Sequence, residues 1–107
     1  MKLKKNIPWM TNERYIEMPE GADVCRIDRQ TYFEQFEGMP PLCVGAQWFA
    51  CSEPYDHIEE NGRYVPTFST YCFETDEDNN IQYFFLGHFS KQQLRDIRQI
   101  IQDRIAA

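Results

Sequence analysis

The sequence lacks any apolar run near the ~20 residues of a membrane-spanning helix. No apolar stretch follows Met1-Lys2-Leu3-Lys4-Lys5 either, so no signal peptide is expected. Cys25, Cys43, Cys51 and Cys72 form no C-x-x-C pair. A cytoplasmic protein with reduced thiols, acting mostly as small buried hydrophobes, is therefore expected in place of a disulfide framework. Basic residues are in deficit, 11 Lys and Arg against 17 Asp and Glu, for a net charge of −6. That opposes binding to a phosphate backbone, which needs clustered cations. It favours solubility and a basic partner. Repeats and low-complexity tracts are absent, and no residue spacing matches a known catalytic or ligand motif.

What the chain has in surplus is aromatic rings: eight Phe, six Tyr and two Trp, or 15% of its residues. A chain of 107 residues is one domain by size and buries roughly two-thirds of its unfolded surface. One small core does not comfortably hold that many rings, so some are expected at an interface or lining a groove.

The strongest local pattern runs from residue 64 to residue 105. An aromatic strand over residues 64–73 enters the acidic turn at residues 76–80, and a second aromatic strand, Ile81–Phe89, leaves it. Pro66 suggests a strand start or an edge, and Gly87 a bulge or a close backbone approach. Ser90 with Gln93 forms a capping box, and Phe89 with Leu94 a hydrophobic staple. Leu94, Ile97, Ile101 and Ile105 then make an apolar stripe, widened by Ile100. Lys91, Arg95, Arg98 and Arg104 lie off the stripe, making this helix the one basic element of an acidic chain.

Upstream, Asp28 caps a helix over residues 28–38, with Tyr32, Phe33 and Phe36 on one face and Gly38 as its left-handed terminator before Pro40-Pro41. Residues 24–27 suit a short strand. Residues 42–52 read as one strand, with Trp48 and Ala50 on one face and Phe49 and Cys51 on the other. Residues 53–63 turn polar and read as a loop closed by the tight turn Asn61-Gly62. Residues 1–19 form an arm with Ile7, Trp9, Tyr15 and Ile16 as anchor points, either packed on the domain or a flexible lead; residues 20–107 form the domain. The expected fold class is α+β: a two-layer sandwich whose three- or four-stranded antiparallel sheet carries a short N-terminal helix and an amphipathic C-terminal helix on one face. The other face is left to water or a partner.

Ile27, Tyr32, Met39-Pro40-Pro41-Leu42, Phe49-Ala50, Glu53, Phe68, Ile81, Tyr83-Phe84, Gly87 and Arg95 together resemble a family of small uncharacterised bacterial proteins associated with plasmids and mobile elements. The resemblance covers residues 27–97. The chain departs from that pattern by a longer stretch at residues 53–63 and by an extra residue between Tyr83-Phe84 and Gly87. The family has no established activity, so the resemblance implies an accessory protein and assigns no role to any residue.

Several chemistries compete. Cys51 and His57, six apart, are the nearest pair of zinc ligands, and a zinc knuckle needs a tighter pair, so no metal is expected. A thiol activated by imidazole would use Cys72 with His88, on neighbouring strands, or His57. Glu53, Asp56, Glu59 and Glu60 share a segment with His57 and suit either a cation or a solvated surface. Trp48, Tyr71, Tyr83 and Phe85 could line a ligand cup, oriented by Gln47 or Thr67, or simply be core. An acidic DNA mimic would need rows of carboxylates, and the run at residues 74–78 is a turn.

Association of the sheet face is the favoured reading. It implies a protein-interaction module acting as a homodimer or on another protein, with Trp48, Phe68, Tyr71, Tyr83 and Phe85 as core or interface and Met10, Met18 or Met39 nearby. No cofactor, nucleic acid or membrane partner is expected. The alternatives are a small-molecule-binding protein or minor enzyme using His57 or His88, and a DNA-mimic inhibitor.

Overall fold

A computed structural model of the chain describes residues 3–5, 16–18, 22–45, 47–75 and 78–106. Two short strands, β1 (Leu3–Lys5) and β2 (Ile16–Met18), pair antiparallel with each other. Ile7, Trp9, Met10 and Tyr15 lie outside the described residues, as do the side chains of Ile16 and Met18. The body of the fold is a five-stranded antiparallel sheet of order β3-β7-β6-β5-β4. Its strands are β3 (Ala22–Ile27), β4 (Pro41–Val44), β5 (Trp48–Glu60), β6 (Arg63–Thr75) and β7 (Ile81–Phe89); α1 (Arg29–Gly38) connects β3 to β4, and α2 (Lys91–Ala106) follows β7. No described helix is long and apolar enough to cross a membrane.

The fold is α+β, but several details of the expected architecture differ. The sheet has five strands, not three or four. Residues 42–52 are not one strand: the chain leaves β4 at Gly45 and reverses into β5, closed by a bond from the Gly45 N–H to the Trp48 carbonyl of 2.8 Å. A Cβ at position 45 would overlap the Trp48 indole, so the ring packs against bare backbone there. The expected loop at residues 53–63 is instead the continuation of β5, running to the two-residue turn Asn61-Gly62 (φ 54° and 78°). Both φ values are positive, as the tight hairpin turn requires.

The two helices also pack on opposite faces, which replaces the two-layer sandwich with a helix on each side. Under α1, Tyr32 meets Phe49 and Tyr83 at ring separations of 5.2 and 4.9 Å, in a cluster that includes Cys51. Under α2, Leu94 and Ile97 pack with Trp48, Ala50, Phe68, Cys72, Leu86 and Phe89. The alternation within β5 makes this possible: Trp48 and Ala50 serve one helix, Phe49 and Cys51 the other. A strand apolar on both faces is a strand covered on both faces.

The helix ends follow local chemistry. The Asp28 carboxylate accepts the Thr31 N–H at 2.7 Å, capping α1. Gly38 is still helical, in place of the expected left-handed terminator. The stop comes one residue later, at extended Met39 (φ −159°, ψ 157°), where the following Pro40 disfavours helical backbone. At α2 the capping box is complete: Ser90 Oγ accepts the Gln93 N–H at 3.2 Å, and Gln93 Oε1 accepts the Ser90 N–H at 2.9 Å. Phe89 and Leu94 of the staple share one buried cluster. The side chains of Ile100, Ile101 and Ile105 lie outside the description.

Candidate functional site

At the end of the sheet beneath α1 is an open apolar cavity of about 270 Å³. Tyr32, Phe33 and Phe36 come from α1, Val44, Gly45 and Trp48 from the β4–β5 corner, Phe73 from β6, and Ile81 and Tyr83 from β7. Its floor is buried, but its rim is not: Phe36 is 39% exposed, Val44 51% and Ile81 51%. Burial pushes the Tyr32 phenol up to about 12, so at neutral pH it stays protonated and able to donate. Trp48 lines this cavity and also a second one on the α2 side, so its indole is a wall common to both.

A polar cluster lies on the α1 face of the sheet. Ser69 Oγ is 3.1 Å from His88 Nδ1, and Tyr55, itself largely exposed, stacks on the imidazole at 3.8 Å between centroids and 4° between planes. Phe85 meets the same ring edge-on at 5.1 Å. Desolvation lowers the His88 pKa below its ordinary value, partly offset by the charges of Asp23 and Asp56. The ring is therefore neutral at pH 7, and its Nδ1 accepts if the Ser69 hydroxyl donates. Burial raises the Tyr71 phenol, against a hydrogen bond with Ser69 that lowers it.

Cys72 and His88 do not meet. Thr70 pairs with Gly87 and Tyr71 with Phe85, so Leu86 is an extra residue, and Gly87 takes φ 132°. This bulge reverses the side-chain alternation beyond it. It turns His88 to the face of Ser69 and Phe85, while Cys72, fully buried, stays among the residues under α2. Burial drives the Cys72 thiol far above its ordinary range, the condition of an inert thiol. His57 is exposed on the β5–β6 ribbon, opposite Pro66, and its N–H donates to the Asp56 carboxylate at 2.7 Å. Among the described residues no three Cys, His, Asp or Glu side chains gather as metal ligands.

The residues expected to line one surface are divided among three places. Trp48 and Tyr83 border the apolar cavity, Phe68 is buried under α2, and Tyr71 and Phe85 are half-buried, Phe85 against His88 and Tyr71 against Phe85. Both candidate orienting groups are engaged in holding the fold: Gln47 Nε2 donates to the Phe73 carbonyl at 3.4 Å, and buried Thr67 donates to the Asp56 carbonyl at 3.1 Å. The Glu60 carboxylate accepts the Ser90 hydroxyl at 2.6 Å, which ties the ribbon tip to the start of α2. Sequence reasoning missed the cavity rim. Phe36 was visible on the helix face, but nothing local marks Val44 and Ile81 as neighbours of it. No known protein family, curated protein or solved structure matches this chain.

Proposed function

We propose that this chain is a protein-interaction module that docks through its cavity end, with a second copy of itself as the first partner. The observation that carries the reading is the aromatic cavity with Phe36, Val44 and Ile81 exposed around its mouth. A buried apolar floor ringed by exposed apolar side chains suits an anchoring side chain from a partner, which is where binding energy concentrates. A two-fold dimer is the commonest means of covering such a patch. The net charge of −6 supports a protein partner over a phosphate backbone. The free state of all four cysteines fits a reducing cytoplasm, and the resemblance to plasmid-associated proteins fits an accessory role in a mobile element. The DNA-mimic reading rests on net charge alone.

A second reading is a small-molecule-binding protein or minor enzyme centred on His88, favoured by the Ser69–His88 contact. Among the described residues the His57 ring has no comparable partner in its support. Size-exclusion chromatography with light scattering separates the two. The first reading expects a dimer that Ile81→Asp converts to a monomer without loss of fold. A strict monomer at high concentration, together with a small molecule retained in native mass spectrometry, transfers the case to the second.

A further inference from the structure

A second cavity, of about 230 Å³, lies between β4 and α2. Leu42, Trp48 and Leu94 give it an apolar floor, and Lys91, Arg95 and Arg98 stand around it. The three cations occupy positions i, i+4 and i+7 of one helix, so they share a face, and like charges at that spacing cost the helix stability. All three are exposed, yet two are held in place. The Arg98 guanidinium sits 5.8 Å from the Trp48 ring centre, and Arg95 donates to Gln92 Oε1 at 2.8 Å. This concentration of positive charge belongs to a chain with a net charge of −6.

We infer that this cavity binds a small organic anion: a carboxylate or phosphate ester carried on a single ring or a short apolar chain. The apolar floor takes the hydrocarbon body, while the planar forks of Arg95 and Arg98 match the paired oxygens of either acid group. The volume sets the size, since it falls below the range of about 300–1,000 Å³ that drug-sized ligands occupy. Binding an anion here also relieves the repulsion among the three cations. The site is independent of the proposed docking rim, because neither Phe36, Val44 nor Ile81 contributes to it.

The test is amide-resolved NMR of the full chain, titrated with phenyl phosphate and separately with hexanoate. Inorganic phosphate and benzyl alcohol serve as the two half-ligands. The expected result is saturable shifts confined to residues 42–48 and 91–98, including the Trp48 indole N–H, with phenyl phosphate binding at least about tenfold more tightly than either half-ligand. Hexanoate producing the same map identifies the acid group in general as the requirement; hexanoate silence restricts the ligand to phosphate esters. Arg98→Gln and Arg95→Gln should each weaken binding about tenfold, and Ile81→Asp should leave it unchanged. Arg95 is exposed, so its variant keeps the experiment decisive if loss of the Arg98 stack disturbs Trp48. The inference is overturned if no saturable shift appears with phenyl phosphate, if inorganic phosphate alone binds equally well, or if a folded Arg95→Gln variant binds like the wild type.

Discussion

At the scale of single residues, Trp48 and His88 show how position overrides composition. Trp48 carries the largest apolar side chain in the core and is shielded within one chain, at 4% exposure. Trp48→Ala should therefore cost about 3–5 kcal/mol of folding stability through the cavity it leaves, measured by urea unfolding, whether or not the protein associates. A loss under about 1 kcal/mol would mean that its surroundings collapse to fill the space. His88 has a folded pKa below its ordinary value because burial disfavours the imidazolium. On falling pH the unfolded chain takes up that proton first, so the stability present above about pH 6.5 declines as pH falls through the window down to the lower folded pKa. His88→Asn should remove that component, leaving a shallower loss of stability between about pH 7 and pH 5 than in the wild type. Parallel slopes in the two proteins would show that other groups carry the acid sensitivity.

The elements differ in how far local chemistry determined them. Asp28 and the Ser90–Gln93 box placed the starts of both helices, since a cap needs only residues three apart. Ser90 also donates to Glu60 across 30 positions in sequence, and nothing local announces that bond. Ser90→Ala removes both roles at once and should cost about 1–2 kcal/mol, more than Gln93→Ala, in thermal or urea unfolding. Restoring a side-chain acceptor with Ser90→Asp should recover the cap while placing two carboxylates together, so Glu60→Gln should then raise stability. The ribbon at residues 53–63 escaped the strand reading because it projects beyond the sheet with most of its side chains exposed. With no face to bury, it shows no apolar alternation, which is the main sign of a strand. Conversely, residues 42–52 alternate so regularly that their reversal at Gly45 was hidden; the close approach of the Trp48 indole explains it.

For the whole molecule, the surplus of rings has a definite distribution. Trp48, Phe49, Phe68 and Phe89 are consumed by two cores on opposite faces, while Phe36, Tyr55 and Tyr64 remain exposed. Light scattering should return a dimer mass for the wild type and a monomer mass for Ile81→Asp, with unfolding curves that differ little because Ile81 is half outside already. A monomer for both proteins would remove the homodimer and leave the rim to a different partner. The same chain offers two chemically unlike surfaces separated by one indole ring: an apolar mouth under α1 and a cationic one along α2.

What the sequence determined by itself is whatever depends on neighbours a few residues away: the α+β class, both helix caps, the Asn61-Gly62 turn, the strand at Ile81–Phe89 and the basic side of the last helix. Only the tertiary structure decided which face each helix covers, that the sheet has five strands, and that His88 stands with Ser69 in place of Cys72. The physical reason is register. One extra residue at Leu86 exchanges the two faces of everything beyond it, and no local preference records a displacement that is felt only across the neighbouring strand.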